Sequence, residues 1–184
     1  MDYELSGKRL ELLTEALRKA SRVAVLWNPG NGAMVFKMKE IETAAQALRV
    51  DIKSLEVRDP QDFDQALAAL PRDHPHALLT LADPLTVFHR DRIIETATKS
   101  RVPAMYEDRE FVEAGGLMSY GSSIEANYRR AATYVDKILK GTKPGELPVE
   151  QPMKFDLVIN LKAANQIGVT IPPNVLARAD EVIR

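Results

Sequence analysis

Short apolar segments alternate with helical patterns along the first two thirds of the chain. Residues 23–27 (VAVLW) and 77–81 (ALLTL) have almost no polar alternation, which is typical of strands covered on both faces of a sheet. Between them, residues 34–49 carry apolar side chains at helical spacing. Because connections of this length join parallel neighbours, the pattern predicts an α/β fold, an open doubly wound parallel sheet with helices on both faces.

The same criteria predict the remaining elements. The first helix is expected to begin with Ser6 or Gly7 as its N-cap, and the helix of residues 63–70 is expected to stop at Pro71. Further strands are predicted at residues 52–57, 103–106, 117–120 and 155–159, a helix around residues 93–97, and a last helix over residues 175–183.

One strongly amphipathic helix follows Tyr120. Its apolar stripe recurs at offsets of four and three, and Gly141 is expected to end it. The stripe consists of Ile124, Tyr128, Ala131, Val135 and Ile138.

Composition excludes several classes of protein. The 184 residues include 25 Lys+Arg against 26 Asp+Glu, so the chain lacks the basic footprint of a nucleic-acid binder. There is no cysteine, which excludes disulfides, thiolate catalysis and Cys-ligated metal. No apolar run reaches the length of a membrane span, and the charged, amphipathic start of the sequence does not resemble a secretion signal.

Polar residues cluster where the predicted strands end. Asn28 and Asn31 follow the first strand, Asp83 follows residues 77–81, and Tyr106, Glu107 and Tyr120 stand at two further strand ends. In an open parallel sheet, ligands bind beyond the carboxyl ends of the strands. We therefore expect the function of the protein at this edge.

The loop of residues 28–32 (NPGNG) also allows a dinucleotide site. Gly30 and Gly32 supply two of the three glycines of the Rossmann fingerprint, and Glu56 stands at about the distance of a ribose-binding acid. Val35, however, occupies the place of the third glycine. A simple turn is the favoured interpretation.

Metal binding and covalent catalysis are less well supported. The donors of residues 73–76 (DHPH) precede a strand and so belong at the opposite edge, where a solvated loop is expected. Glu107 and Asp108 are carboxylates of the kind used for acid–base work, but the sequence has no nucleophile elbow, Ser-His pair or P-loop beside them. We expect a binding protein rather than an enzyme, with no metal and no cofactor.

Six stretches together resemble a known family. The chain is similar to the substrate-binding proteins of ABC transporters, in a group usually described as uncharacterised that includes tryptophan/tyrosine-type binding proteins. The stretches are residues 5–13 (LSGKRLELL), 23–29 (VAVLWNP), 115–121 (GGLMSYG), 128–141 (YRRAATYVDKILKG), 147–152 (LPVEQP) and 155–162 (FDLVINLK).

The resemblance implies a type I periplasmic-binding fold, in which two α/β lobes hold a solute between them. Such proteins are periplasmic or membrane-anchored outside the cytoplasm and deliver the solute to an ABC permease. Family members carry an export signal and an amino-terminal lobe before the segment that matches residues 5–13. On this mapping the chain is expected to be a truncated protein that consists of the second lobe. One of the two lobes that hold the solute would then be missing. Residues 1–118 form the lobe, residues 119–154 cross to the missing lobe, and residues 155–184 return.

The resemblance also implies an amino acid or related organic acid as the solute. Asp83 is expected to pair with an ammonium group, Asn28 and Asn31 to offer amide hydrogen bonds, and Glu107 to serve as a second acceptor. Tyr106 and Tyr120 would form flat apolar walls. A core position for each tyrosine and a turn-forming role for Asn31 are about equally consistent with the sequence.

Two other functional classes stay open, a nucleotide- or flavin-dependent enzyme that uses the Gly30 and Gly32 turn, and a degenerate interaction module. The stripe of the amphipathic helix, left without the other lobe, predicts a homodimer through Ile124–Leu139.

Overall fold

The computed structural model describes residues 4–17, 20–152 and 154–184. Helices and strands alternate up to residue 122, except that two helices lie between the strands Ala77–Thr80 and Ala104–Tyr106, and a 3₁₀ turn at Pro144–Glu146 precedes the strand Phe155–Asn160. The helices are α1 (Glu4–Ala16), α2 (Gly32–Leu48), α3 (Asp62–Asp73), α4 (Pro84–Phe88), α5 (Arg90–Lys99), α6 (Arg109–Glu113), α7 (Ile124–Leu139), α8 (Leu161–Ile167) and α9 (Pro173–Leu176). The strands are β1 (Arg22–Trp27), β2 (Asp51–Glu56), β3 (Ala77–Thr80), β4 (Ala104–Tyr106), β5 (Met118–Ser122), β6 (Phe155–Asn160) and β7 (Glu181–Ile183).

The seven strands form one sheet in the order β2-β1-β3-β4-β5-β6-β7. Neighbours are parallel except for β5 and β6, which pair antiparallel from Met118 opposite Ile159 to Ser122 opposite Phe155. The chain leaves β5 at its carboxyl end and returns beside that same end, so β6 must run in the opposite direction. The predicted α/β fold class is confirmed, with β6 and β7 running opposite to the other five strands.

The core lies in two layers, one on each face of the sheet. Val23 and Val25 of β1 pack with α1, α2 and α8, whereas Ala24 and Leu26 pack with α3 and α5 on the other face. Alternate residues of one strand therefore serve both layers, which explains why β1 is apolar throughout.

Two boundaries predicted from the sequence are wrong. The helix α1 already includes Glu4, so Ser6 and Gly7 are not its N-cap; Ser6 is fully buried within the helix. The helix α3 continues through Pro71 to Asp73. A proline near the carboxyl end removes one hydrogen bond, and the buried face of α3 continues up to Leu70.

The end of the chain also differs from prediction. In place of one helix over residues 175–183 there is the short α9 and then β7. Asp180 attaches this segment to β6, because its backbone N–H donates to Leu157 O and its carboxylate accepts from Leu157 N. These bonds set β7 beside β6. The helix α8 was not predicted, although Asn160 caps its start and Gly168, at φ 77°, follows its end.

The helix α7 differs from the other long helices, since none of its sixteen residues is buried. Ser123 caps its first turn, and the positive φ of Gly141, 102°, lies just past its end. The helix therefore ends just before Gly141, as predicted. No helix in the described ranges has both the length and the apolar character needed to cross a membrane.

Candidate functional site

The carboxyl ends of β1, β3, β4 and β5 lie side by side along one edge of the sheet. We call this the strand-end edge. Its described polar groups come from the loops that follow those strands. Five of the six residues singled out from the sequence lie at or just beyond these strand ends, and Tyr120 lies within β5, two residues before its end.

Asn28 and Asp83 contact each other directly. Asn28 Nδ2 donates to Asp83 Oδ2 at 2.7 Å, and Asn28 Oδ1 accepts from the backbone N–H of Gly30 at 2.9 Å. Asn28 is half-buried, whereas Asp83 is 7% exposed. The pair joins the loops after β1 and β3 at the strand-end edge.

Asp83 has a second role as the N-cap of α4. Its Oδ1 accepts from Thr86 N at 2.9 Å, and Thr86 Oγ1 accepts from Asp83 N at 2.9 Å. This reciprocal capping box fixes the carboxylate in one orientation. The carboxylate is thus preorganised at the edge by two hydrogen bonds.

Asn31 is the N-cap of α2, and its side chain accepts from Ala33 N at 3.1 Å. The helix begins at Gly32, and neither Gly30 nor Gly32 has a positive φ. Asn28 and Asn31 therefore shape the turn through their side chains. The turn-forming role that the sequence left open for Asn31 is present in the structure.

The two tyrosines have different surroundings. Tyr106 is 1% exposed and stacks on Phe111 with ring centroids 4.7 Å apart, and its burial raises the pKa of the phenol. It is a core side chain and offers no wall to a solute, which corrects that part of the sequence interpretation. Tyr120 is half-buried at the edge and lies 6.2 Å from the ring of Phe155.

Glu107 is the centre of a buried ionic cluster. Its Oε1 accepts from Arg9 Nη1 at 3.0 Å, and its Oε2 accepts from Lys37 Nζ at 2.5 Å. Arg9 Nε also donates to the Tyr120 carbonyl at 2.6 Å. With both carboxylate oxygens engaged and only 5% of the residue exposed, Glu107 is a structural anchor in this chain, not an open acceptor.

Sequence reasoning missed Arg9 and Lys37. Both stand among apolar residues on a buried helix face, Arg9 beside Leu10 and Lys37 beside Met38. A single cation on an otherwise apolar face is the signal that was available, because an isolated buried charge requires a partner.

Asp108 adds a further carboxylate beside this cluster. Its partial burial raises its pKa, and the negative charge of Glu107 raises it further, while Arg9 and Lys37 act in the opposite direction. Asp108 precedes α6 but makes no side-chain capping bond to it.

Gly121 permits a close approach of two backbones at the edge. A Cβ at this position would lie 2.1 Å from the Glu107 carbonyl oxygen. The absence of a side chain lets β5 pass directly beside the end of β4, which brings Tyr120 O within reach of Arg9.

The arrangement offers hydrogen-bonding and charged groups that hold one another in place. No group of three or more His, Asp or Glu side chains suited to a metal ion occurs in the part of the chain that the structure describes. The geometry is that of one lobe of a type I periplasmic-binding fold.

The model of the family described as ABC transporter substrate binding protein matches residues 1–183. The chain belongs to this family of ABC transporter substrate-binding proteins. No curated protein matches it. Proteins of this family bind solutes outside the cytoplasm, generally without catalysing a reaction on them.

Solved structures share the fold over nearly the whole chain. A conserved domain protein from Vibrio cholerae O1 biovar eltor is 29% identical, with a TM-score of 0.84 over 96% of this chain and 60% of that one. An ABC domain in complex with L-Trp from Streptococcus pneumonia is 21% identical, with a TM-score of 0.84 over 97% and 60%. The ligand-free, open structure of a substrate-binding protein with adhesive properties from Clostridium difficile is 20% identical, with a TM-score of 0.73 over 96% and 59%. The chain thus spans about 60% of the length of these proteins.

Proposed function

We propose that this chain is the solute-binding part of an ABC importer and binds an amino acid or a related small organic acid at the strand-end edge. Family membership supports the solute-binding role. In this proposal residues 1–118 and 155–184 form the binding lobe, and residues 119–154 are an excursion from it. The solute is bound and released unchanged.

The single observation that carries the solute class is the Asn28–Asp83 pair. Asp83 Oδ2 accepts from Asn28 at 2.7 Å and Oδ1 accepts from Thr86 N, and each carboxylate oxygen can accept a further hydrogen bond. A carboxylate that is fixed in orientation at this edge is a good partner for an ammonium group, because charge-assisted hydrogen bonds are about twice as strong as neutral ones.

The neighbouring groups support the same class of solute. Asn31 and Tyr120 are both half-buried at the edge and would contact the remainder of the molecule. The structural neighbour from Streptococcus pneumonia was solved in complex with L-Trp, so an amino acid is the first solute to test. Glu107 is left out of the proposed contacts because Arg9 and Lys37 bind both of its carboxylate oxygens. Tyr106 is left out because its ring is in the core, stacked on Phe111.

A thermal-shift screen of the purified chain tests the proposal. A ligand that binds only the native state raises the melting temperature, so at least one amino acid or small organic acid is expected to do so. NAD and FMN belong in the same screen. A shift with either of these and none with any amino or organic acid would replace the proposal with a nucleotide-binding function.

The role of Asp83 is tested with matched ligands and variants. Calorimetry should show binding of L-tryptophan, or of the best ligand in the screen. The affinity for its N-acetyl derivative, which has no ammonium group, should be at least tenfold lower. Asp83→Asn keeps an N-cap acceptor but removes the charge. It should lower the affinity for the free amino acid and leave the affinity for the N-acetyl derivative unchanged. Glu95→Gln, an exposed change on α5, is the control. Unchanged affinity in Asp83→Asn removes Asp83 from the site.

Two partners complete the proposal. An ABC permease would receive the solute, as family membership implies, and a second copy of the chain would bind through Ile124–Leu139. The protein would act in the periplasm or at the outer face of a membrane.

A further inference from the structure

A small enclosed cavity lies where the ends of β4 and β5 and the start of β6 meet the first turn of α7. Its volume is about 30 Å³, which is about what one water molecule occupies in the liquid and leaves room for one small ion. Four of its ten described lining residues carry carboxylates: Glu107, Asp108, Glu125 and Asp156. Neither Asn28 nor Asp83 lines it, so the cavity is separate from the proposed solute contacts.

The pairing of β5 with β6 creates this cavity. Gly121 lies opposite Asp156 across the two strands, and Ser119, two residues earlier in β5, is on the same face of the sheet. Because Gly121 has no side chain, the space between the Ser119 hydroxyl and the Asp156 carboxylate stays open. Asp108, which follows β4, borders the cavity on the side of that strand.

Two oxygen atoms of the cavity have no hydrogen bond within the described part of the chain. Ser119 is 1% exposed, and its hydroxyl makes no hydrogen bond to a described residue. Asp156 Oδ1 is buried and has none either; Lys154 Nζ lies 3.2 Å from it but is not aligned to donate. Polar atoms removed from water without a partner are unfavourable, so both point to a small group that binds between them.

One carboxylate of the cavity has no ion pair. The other three each pair with a Lys or Arg side chain, whereas Asp108 pairs with no described residue. Arg109, a further lining residue, binds two carboxylates that do not line the cavity. Burial and the charge of Glu107 raise the pKa of Asp108 although Arg9 and Lys37 act in the opposite direction. The nearby cations therefore leave the negative charge of Asp108 uncompensated.

We propose that this cavity binds one small monovalent cation, an alkali-metal or ammonium ion, through the carboxylates of Asp108 and Asp156 and the hydroxyl of Ser119. Oxygen ligands suit hard cations, and a single uncompensated negative charge fits one positive charge. The bound ion joins the loop after β4 to both β5 and β6, at the point where the chain leaves the sheet for α7. The site goes beyond solute binding and does not depend on it, so a failed solute screen leaves it unaffected.

Thermal unfolding in different salts gives the first test. Sodium, potassium and ammonium chloride are compared at equal ionic strength with choline chloride, whose cation is too large for a cavity of about 30 Å³. A cation that binds only the native state raises the melting temperature, by about 3 °C or more at about ten times its dissociation constant. At least one of the three small cations should produce this rise. The same melting temperature in all four salts overturns the proposal.

Substitutions separate this site from general effects of salt. Asp108→Asn keeps the size of the side chain but removes its charge, so the rise caused by the cation should disappear. Ser119→Ala removes one ligand and leaves the charge, and should raise the dissociation constant of the cation several-fold. Glu125→Gln is the control, because that carboxylate pairs with Arg129 and is 73% exposed. A rise that persists in Asp108→Asn, or that is lost equally in Glu125→Gln, would show that the cation does not bind as proposed.

Calorimetric titration with the preferred salt tests the contact with Asp156. One ion per chain is expected. Lys154→Gln removes the exposed ammonium beside Asp156 Oδ1, so the cation should bind several-fold more tightly, which is the opposite of the effect of Ser119→Ala. Unchanged or weaker binding in Lys154→Gln would exclude Asp156 as a ligand and with it this geometry.

Discussion

Arg9 Nη1 lies 3.0 Å from Glu107 Oε1, although 98 positions separate the two residues in the chain. The contact joins α1 to the end of β4, and Lys37 brings α2 to the same carboxylate at 2.5 Å. One buried anion thus connects three elements at the strand-end edge. The charges are nearly inaccessible to water, so they interact more strongly than surface pairs do.

Glu107→Gln is expected to destabilise the protein by about 3–5 kcal/mol, because it leaves two buried cations without a compensating charge. Lys37→Met should lower the free energy of unfolding by less than Glu107→Gln does, since Arg9 still neutralises the carboxylate. Urea unfolding monitored by circular dichroism measures both. The exposed change Glu95→Gln, which breaks only the Lys99 pair, serves as the reference and should have little effect. Equal stability of Glu107→Gln and this reference would show that the cluster does not stabilise the fold.

Gly121→Ala is expected to disrupt the edge, because its Cβ would lie 2.1 Å from the Glu107 carbonyl oxygen. The backbone fixes the position of the Cβ, and the oxygen belongs to the backbone, so no side-chain rotation relieves the clash. A loss of about 3 kcal/mol, the upper end for overpacking, is expected. Gly145→Ala, which meets no atom within 4 Å, is the matched control. Thermal unfolding distinguishes them, and a common melting temperature would contradict the close approach.

Asp83→Ala and Asp83→Asn separate the two roles of this carboxylate. Alanine removes the N-cap of α4 and should cost about 1 kcal/mol or somewhat more, whereas asparagine caps about as well as aspartate and should be much milder. Guanidinium unfolding curves give the comparison. A loss as large for asparagine as for alanine would mean that the charge, rather than the capping bond, stabilises the edge.

Asp108 is expected to make stability depend on pH. Burial and Glu107 raise its pKa above the ordinary 3.8, so the folded protein binds a proton more tightly than the unfolded chain. This contribution is fully present below the ordinary pKa and is lost as pH rises through the raised one. Asp108→Asn should therefore increase stability at neutral pH, with a gain that shrinks as the pH is lowered toward 3.8. A constant difference across that window, measured by thermal unfolding, would contradict the shift.

The sequence by itself determined the fold class and the gathering of polar residues at one edge of the sheet. Strands apolar on both faces, such as β1, can be satisfied only by helices on both sides of the sheet, and parallel strands bring Asn28 and Asp83 to one edge. These conclusions need only the local period of apolar residues and the connection lengths.

Only the tertiary structure decided what each side chain does. Tyr106 is the last residue of β4 and Tyr120 lies within β5, yet Tyr106 is in the core and Tyr120 is only half-buried, because burial depends on which helices cover the strand. Arg9 and Lys37 come from distant positions to Glu107, and the final segment becomes β7 instead of a helix because β6 offers it a partner. Pairings between remote segments leave little trace in local periodicity, since their free energy arises only after the chain has folded.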